Sequence, residues 1–286
     1  MQSFSSSKIW LNGMLVTAEA ARVDPADRGL LLGDGLFETL RVAESIPRHM
    51  ARHLARLEAG ACLLRLDPPD VAELHQALAA VIAAQGLVEG TLRLTMTRGP
   101  GPRGVLPPRS HRPTVLITAA PLPPPAGPAD VIIARSIRRD ENSPLSGIKS
   151  LNYLPSILAR LEAEERGAAD ALLLNQAGLA AESSAATIFL HRSGEWLTPR
   201  LQDGALPGIR RAVLLEAGLV REAELPAAWL FEAEALCLGN ALNLRPIKSV
   251  DGHAIGGRNV FATFAAANEA LGFGWACGGE TSTGQV

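Results

Sequence analysis

Lysine is scarce in this chain of 286 residues, where Lys8, Lys149 and Lys248 are outnumbered by arginine among the 27 basic residues. Arginine therefore supplies most of the positive charge, and a lysine in an apolar setting calls for a chemical reason. A lysine amine, unlike a guanidinium, can lose its proton and form a reversible Schiff base. Lys149 lies in such a setting, Ser-Gly-Ile-Lys-Ser-Leu-Asn-Tyr, which also holds the only tyrosine, Tyr153. The alternative is that Lys149 is a solvated residue in front of a helix.

The chain also has only three cysteines, no long apolar run and little net charge. Cys62, Cys237 and Cys277 are widely spaced and form no CxxC pair, so neither a disulfide framework nor a metal site is expected. We therefore expect a cytoplasmic protein. No apolar run reaches the length of a bilayer span, and a net charge of -2 favours neither nucleic acid nor a membrane as partner. The 47% hydrophobic content is typical of a globular protein.

A proline-rich stretch at residues 121–128, Pro-Leu-Pro-Pro-Pro-Ala-Gly-Pro, divides the sequence. Proline stiffens such linkers, so we predict an N-terminal α/β domain over residues 1–120, a linker over 121–130 and a C-terminal domain over 131–286. The N-terminal part predicts a hairpin turned at Asn12-Gly13, a strand over residues 36–42, a helix over residues 53–66 and further strands. A second helix is predicted to begin at Asp67 or Pro69, with apolar residues at 71, 74, 78 and 81 in register. The sequence thus indicates a mixed α/β protein with two domains.

Three segments of the C-terminal part are candidates for chemistry. Lys149 precedes a predicted helix whose apolar residues have the spacing i, i+3, i+4 and i+7, namely Leu154, Ile157, Leu158 and Leu161. Glu182 lies in a strand of small residues, Ala-Ala-Glu-Ser-Ser-Ala-Ala, which leaves space for another group. The segment Leu-Pro-Gly-Ile-Arg at residues 206–210 begins a helix, where free backbone N–H groups can bind a phosphate.

Taken together, these segments resemble the class IV, fold-type IV pyridoxal-phosphate (PLP) enzymes, which include branched-chain and D-amino acid aminotransferases and aminodeoxychorismate lyase. The resemblance rests on five motifs in the family's order, at residues 27–41, 53–57, 147–154, 181–184 and 206–210. It implies a smaller N-terminal α/β domain, a larger C-terminal domain with a mixed, barrel-like sheet and helices, and a homodimer. It also implies that PLP is held between the domains.

The resemblance assigns roles to individual residues. Lys149 would form the Schiff base with PLP and then transfer the substrate proton, while Glu182 would pair with the pyridine nitrogen. Tyr153 would bind the ring hydroxyl, although branched-chain enzymes carry one more residue between the lysine and the tyrosine. The residues implied for the cofactor phosphate are Arg56, Ile209, Arg210, Asn240 and Ala241. Without the resemblance, Glu182 would pass for an exposed strand residue, Arg56 for a solvated helix residue and Tyr153 for an ordinary buried tyrosine.

The same resemblance bears on the reaction. Arg103, in a loop that would reach toward the partner's site, is implied to hold a substrate carboxylate, with Phe37 lining the pocket. The loop reads Arg103-Gly-Val and lacks the Arg-x-His of D-amino acid aminotransferases. This Arg-Gly, the Phe-Glu-Thr-Leu-Arg of residues 37–41 and the Asn-Ala-Leu of residues 240–242 are similar to aminodeoxychorismate lyase, an enzyme of folate biosynthesis that releases pyruvate and 4-aminobenzoate. Thr187 departs from the family, which often has an asparagine there. The alternatives are a transaminase for D-amino acids or other small amines, and a PLP-binding relative that has lost catalysis.

Overall fold

The computed structural model of the chain describes residues 7–124 and 126–273. Contacts divide the chain into two units, the first comprising Met1–Leu122 with Gly147–Tyr153, and the second Pro123–Ser146 with Leu154–Val286. Each unit combines strands and helices, which confirms the expected mixed α/β class. Lys149 belongs to the first unit. The predicted domain limits at residues 120 and 131 stay a prediction.

The first unit contains strands and helices that follow the hydrophobic pattern closely. Its strands are β1 Lys8–Leu11, β2 Met14–Thr17, β3 Gly35–Ala43, β4 Ile46–Pro47, β5 Gly90–Thr97 and β6 Thr114–Ala120. Its helices are α1 Arg28–Leu32, α2 Met50–Leu64 and α3 Val71–Gln85. The turn at Asn12-Gly13 joins β1 to β2 as predicted. The side chain of Asp70 accepts from Ala72 N and so caps the start of α3.

The strands of the first unit form an antiparallel sheet in the order β2-β1-β6-β5-β3-β4, counted over the described residues. One face of β3 presents Leu36, Leu40 and Val42 to a core that includes Leu54 and Leu57 of α2. Because successive strand residues point to opposite faces, Phe37 lies on the face away from this core. Neighbouring side chains of β3 therefore lie on opposite faces of the sheet.

The second unit contains the remaining elements. Its strands are β7 Ala129–Ile133, β8 Asp170–Leu174, β9 Ala180–Ser183, β10 Thr187–Arg192, β11 Glu195–Pro199, β12 Arg221–Ala223, β13 Ala235–Gly239, β14 Leu244–Val250 and β15 His253–Ala254. Its helices are α4 Leu154–Glu165, α5 Ile209–Glu216, α6 Trp229–Glu232 and α7 Arg258–Ala270. Single 3-10 turns occur at Pro144–Gly147, at the edge of this unit, and at Leu201–Asp203.

Within the part of the chain that the structure describes, these strands form one mixed sheet in the order β12-β11-β10-β13-β14-β7-β8-β9, with β15 paired to β14. Pairs β11-β12, β14-β7 and β7-β8 are parallel, and the others are antiparallel. A core of apolar residues from β7, β8, β10 and β13 packs within this unit. No helix among the described residues has both the length and the apolar character needed to cross a membrane.

Helix α4 differs from its sequence pattern in one respect. The four large apolar residues predicted to share a face, Leu154, Ile157, Leu158 and Leu161, are between 48% and 70% exposed. The helix instead packs on its own unit through Ala159 and Ala163, both of which are fully buried. The small alanines permit close approach to β8, and they leave the larger side chains outward.

Candidate active site

The segment that carries Lys149 lies along strand β3. Phe37 N donates to Lys149 O at 3.0 Å, and Leu151 N donates to Gly35 O at 3.0 Å. Gly35 allows this close approach, because a Cβ there would lie 2.9 Å from Leu151 Cδ1 and 2.4 Å from a backbone oxygen of β5. Ile148 anchors the segment in the core of the first unit. Lys149 is therefore fixed by backbone bonds at and beside its own position.

The amine of Lys149 is surrounded by aromatic and polar groups. Its Nζ donates to the Tyr153 hydroxyl oxygen at 3.0 Å and lies 4.5 Å from the centre of the Phe37 ring. Phe37 and Tyr153 meet edge to face, with ring centres 5.0 Å apart. The Arg93 guanidinium carbon lies 3.8 Å from the centre of the Phe37 ring. Three predicted residues thus come together, and Arg93 joins them.

Arg93 was not predicted as a site residue, although the sequence contains the signal. Strand β5 reads Thr91-Leu-Arg-Leu-Thr95, and its alternation places Arg93 on one face with the two threonines. Arg93 is the cross-strand partner of Thr39 on β3, two residues from Phe37. The face of β3 and β5 beside Lys149 is therefore polar and positively charged.

Arg56 binds a buried carboxylate on the other side of β3. Its Nε donates to Glu38 Oε1 at 2.7 Å, and its Nη2 donates to Glu38 Oε2 at 2.6 Å. His53 Nδ1 lies 2.6 Å from the same Glu38 Oε2. Burial acts to raise the Glu38 pKa, but hydrogen bonds from His53 and Arg56 and the charge of Arg56 hold this pKa below its usual range.

His53 is neutral in this cluster. Burial lowers the pKa of His53, and the nearby carboxylate of Glu38 opposes this effect without reversing it. An ionised carboxylate can only accept, so Nδ1 of His53 must carry the proton that it shares with Glu38. Sequence reasoning singled out Arg56 but missed Glu38 and His53 as its partners.

In the second unit, Glu182 has a half-buried side chain on β9. Its Oε1 is 3.0 Å from Arg139 Nε, and its Oε2 accepts from Leu206 N at 3.2 Å. The neighbouring residues Ala181 and Ser183 are fully buried, as the small-residue run suggested. These bonds orient the carboxylate and keep a positive charge beside it.

Helix α5 begins at a glycine without a side-chain cap. Gly208 is the N-cap and makes no side-chain cap hydrogen bond, and the first turn of the helix includes Ile209 and Arg210. A Cβ on Gly208 would lie 2.9 Å from Thr187 Oγ1, so only glycine fits without displacement. An uncapped helix start beside a glycine suits a phosphate, because its N–H groups and helix dipole favour an anion.

The side chain of Arg210 has a structural role. It is 1% exposed, its Nε donates to Asn240 O at 2.7 Å, and its Nη1 donates to Asn268 Oδ1 at 2.9 Å. The guanidinium carbon also lies 4.3 Å from the Phe273 ring centre. Arg210 therefore ties the start of α5 to the turn at Asn240 and to α7.

The turn that contains Asn240 and Ala241 is built by the asparagine side chain. Asn240 Oδ1 accepts from Leu242 N at 2.9 Å and from Asn243 N at 3.1 Å. Asn240 Nδ2 donates to Ala185 O at 3.3 Å, close to the end of β9. The turn is thus held to the strand region of Glu182 and, through Arg210, to α5.

Arg103 lies on an exposed loop after β5. The loop is fixed by buried Arg28, whose Nη1 and Nη2 donate to Gly104 O and Val105 O, both at 2.8 Å. Arg28 also binds Asp34 at 2.9 Å through Nε. The backbone beside Arg103 is therefore anchored while its side chain remains in solvent.

The chain is similar to known proteins over most of its length. The family model for amino-transferase class IV matches residues 35–250. A Methanocaldococcus jannaschii protein with the provisional name of a branched-chain-amino-acid aminotransferase is 34% identical, over 88% of this chain and 91% of its own.

Solved structures show the same relationship. The 4-amino-4-deoxychorismate lyase of Pseudomonas aeruginosa is 31% identical, with a TM-score of 0.80 over 92% of this chain and 98% of its own. The branched-chain amino acid aminotransferase of T.th., solved with pyridoxamine 5'-phosphate, is 26% identical, with a TM-score of 0.86 over 94% of this chain and 95% of its own.

The fold and these relatives define a PLP-dependent enzyme of fold type IV. More specifically, the chain belongs to the class IV aminotransferase family, whose members are aminotransferases or lyases. The residues present fit the cofactor: Lys149 offers an amine, Glu182 offers a carboxylate, and Gly208 opens a helix start that a Cβ would obstruct.

Proposed function

We propose that the chain is a 4-amino-4-deoxychorismate lyase, which eliminates pyruvate from its substrate and leaves 4-aminobenzoate. The observation that carries this proposal is the position of Arg93 and Phe37 beside the amine of Lys149. The substrate bears two carboxylates and an unsaturated ring, because its products are pyruvate and 4-aminobenzoate. A guanidinium binds a carboxylate through paired hydrogen bonds, and an aromatic side chain packs on a ring that becomes aromatic in the product.

Lys149 has two roles in this proposal. Its amine holds the cofactor aldehyde, and it later removes the proton from the carbon beside the substrate amine. The Tyr153 hydroxyl, 3.0 Å from Nζ, orients that amine for both roles. When bound, PLP withdraws electrons from the carbon that loses its proton. Glu182 would pair with the pyridine nitrogen, and Arg139, 3.0 Å from its Oε1, orients its carboxylate for that contact.

By the family resemblance, we expect Arg56 to supply a guanidinium to the cofactor phosphate. The N–H groups of Ile209 and Arg210 at the start of α5, and backbone groups of the turn of Asn240 and Ala241, would add donors. A phosphate dianion is bound well by such a combination of a fork-shaped cation and backbone donors.

Substrate specificity is assigned to the polar face of β3 and β5. A branched-chain aminotransferase needs an apolar pocket for an aliphatic side chain, whereas this face carries Arg93 with Thr39 and Thr95. Arg93 would bind one carboxylate, and the Arg103 loop of the second copy, whose backbone is anchored by Arg28, would reach in to bind the other. Phe37, which is 5% exposed, would line the same space.

A second candidate is a transaminase that acts on a D-amino acid or another small amine. The similarity to branched-chain aminotransferases supports it, because those relatives transfer an amino group. It would use Lys149, Glu182 and Arg56 in the same roles, with Arg93 holding the carboxylate of an amino acid.

A product assay separates the two candidates. Purified protein with PLP is incubated with 4-amino-4-deoxychorismate, and pyruvate and 4-aminobenzoate are measured. Parallel reactions contain D-alanine or L-leucine with 2-oxoglutarate, and glutamate is measured together with its configuration. Equal amounts of pyruvate and 4-aminobenzoate support the lyase. Glutamate formation with no 4-aminobenzoate refutes the lyase and supports the transaminase.

We also propose that the enzyme is a homodimer. The exposed apolar residues of α4, Leu154, Ile157, Leu158 and Leu161, form a surface that water solvates poorly. A two-fold contact would bury the same face of two copies at once. The family resemblance supports a second copy as the partner.

A further inference from the structure

Glu38 is a buried charge whose two oxygens are both occupied. Arg56 binds it through Nε at 2.7 Å and Nη2 at 2.6 Å, and His53 binds it at 2.6 Å. The side chains of Glu38 and His53 are each 1% exposed, and that of Arg56 is 10% exposed. The three side chains therefore form a connected polar network inside the first unit.

Fold stability alone is a weak reason for such a network. Removing charges from water is costly, and well-packed apolar residues often replace a buried ion pair without loss of stability. Leu36 and Leu40, which flank Glu38 on the same face of β3, show that this face accepts apolar side chains. A carboxylate at this position therefore points to a geometric role.

The geometry of the pair restricts Arg56. A carboxylate that binds both Nε and Nη2 sets the plane of the guanidinium and stops its rotation. His53 holds the Glu38 carboxylate in turn, through the Nδ1–H that it must donate. Arginine otherwise loses rotamer freedom when it binds an anion, so an arginine that is already fixed binds at lower entropic cost.

We propose that Glu38 is a positioning residue for the cofactor phosphate, which fixes the guanidinium of Arg56 and is itself held by His53. This inference rests on the proposed role of Arg56 at that phosphate. Glu38 contributes to binding of the phosphate group and not to binding of the pyridine ring.

The test compares PLP with pyridoxal, which has the same ring and aldehyde but no phosphate. Full-length protein is freed of cofactor with hydroxylamine, and the dissociation constants of both compounds are measured by absorbance for wild type, Glu38→Gln, His53→Phe and Arg56→Met. The matched control is Glu89→Gln. It removes the exposed carboxylate that pairs with Arg41 of β3, the strand that also carries Glu38. Circular dichroism and thermal melting of each cofactor-free variant report on folding.

We expect Glu38→Gln to weaken PLP binding by about 3- to 10-fold, the effect of immobilising one flexible side chain on binding. Pyridoxal binding should stay close to that of wild type, and Glu89→Gln should change neither constant. In the Arg56→Met background, Glu38→Gln should have no further effect on the ratio of PLP affinity to pyridoxal affinity. His53→Phe, which removes the donor to Glu38, should lower the ratio of PLP affinity to pyridoxal affinity as Glu38→Gln does, and it serves as the test if Glu38→Gln does not fold.

The outcomes separate this inference from the function on which it rests. If Arg56→Met leaves the ratio of PLP to pyridoxal affinity unchanged, the phosphate role of Arg56 fails, and the inference fails with it. If Arg56→Met lowers the ratio but Glu38→Gln and His53→Phe do not, only the inference is overturned. Equal weakening of PLP and pyridoxal binding by Glu38→Gln also overturns it, because that result indicates a purely structural role.

Discussion

The Nζ atom of Lys149 donates a 3.0 Å hydrogen bond to the hydroxyl oxygen of Tyr153, four residues further along the chain. Both residues belong to a segment bonded to β3, so their separation is set by strand-like backbone contacts and not by a helix. Phe37 contacts both side chains from β3. The amine of Lys149, the phenol of Tyr153 and the aromatic ring of Phe37 are therefore brought together by two short stretches of sequence.

Lys149 should be the residue that carries the cofactor. Reduction with borohydride and peptide mass mapping should find a pyridoxyl group on the Lys149 peptide. Lys149→Ala should lower kcat/KM by at least about 10²- to 10⁴-fold, since the proton-transferring group is lost. The control is Lys248→Ala, which removes an exposed ion pair with Asp130 and should retain activity. An adduct on Lys8 or Lys248 instead would refute the assignment.

Tyr153→Phe should lower kcat with little change in the melting temperature. The variant keeps the ring contact with Phe37 and removes only the hydroxyl that accepts from Lys149. One hydrogen bond contributes about 0.5–1.5 kcal/mol, so we expect a decrease in kcat of about 3- to 10-fold. Steady-state kinetics and thermal melting test this. Full activity in Tyr153→Phe would show that the hydroxyl does not orient the amine.

Gly208→Ala should weaken PLP binding. The new Cβ would lie 2.9 Å from Thr187 Oγ1, so the helix start or Thr187 must move. Overpacking of this kind costs about 1–3 kcal/mol, here expressed as loss of cofactor affinity. Gly127→Ala is the control, because a Cβ there meets nothing within 4 Å. Titration of both cofactor-free variants with PLP compares them, and equal affinities would argue against a phosphate at this helix start.

The stability of the second unit should depend on Glu162 at neutral pH. Its carboxylate accepts from the N–H groups of Arg135 and Ser136, from the Ser136 hydroxyl and from Arg166. Burial opposes ionisation, but these bonds lower the Glu162 pKa from 4.5 to about 2. A pKa lowered by folding stabilises the protein above the unfolded value of 4.5, and this contribution is lost as the pH falls toward 2.

Chemical denaturation at several pH values tests the role of Glu162. Glu162→Gln should lower the free energy of unfolding by about 1–3 kcal/mol at pH 7, and the difference from wild type should shrink as the medium is acidified. Glu164→Gln, on the exposed side of α4, is the control and should show little difference at any pH. A pH-independent difference for Glu162→Gln would contradict the ionic origin of the effect.

Replacing Leu158 by glutamate should shift the protein from dimer toward monomer. Leu158 is 49% exposed within the exposed face of α4, and a charge at the centre of a dimer contact would be desolvated. Leu63→Glu is the control, since Leu63 is 46% exposed on α2. Analytical ultracentrifugation of both variants and of wild type measures the change. A wild-type protein that sediments as a monomer would refute the proposed homodimer.

Local sequence patterns predicted much of this structure because local physics decides those features. Asn12-Gly13 forms the hairpin turn through its positive backbone angles, and Pro-Gly precedes α5 as expected. The neighbourhood of Lys149 and Tyr153 was indicated by their spacing within one motif. These features depend on residues that are close in sequence.

The features that were missed depend on contacts between distant residues. Glu38 meets His53 and Arg56 across 15 and 18 residues, and nothing in the strand pattern shows that this carboxylate is buried. The face of α4 that packs on its unit could not be chosen from periodicity either. Both its large apolar residues and Ala159 with Ala163 fit a helical repeat, and the close approach to β8 selected the alanines.

Phe37 and Glu38 are joined by one peptide group and point to opposite faces of β3, one toward Lys149 and the other toward Arg56. Efforts to alter the substrate range by randomising this strand should therefore vary Phe37 while leaving Glu38 constant. An insertion or deletion of one residue here would exchange the two faces, so evolution of new specificities along β3 is confined to replacements that keep its length.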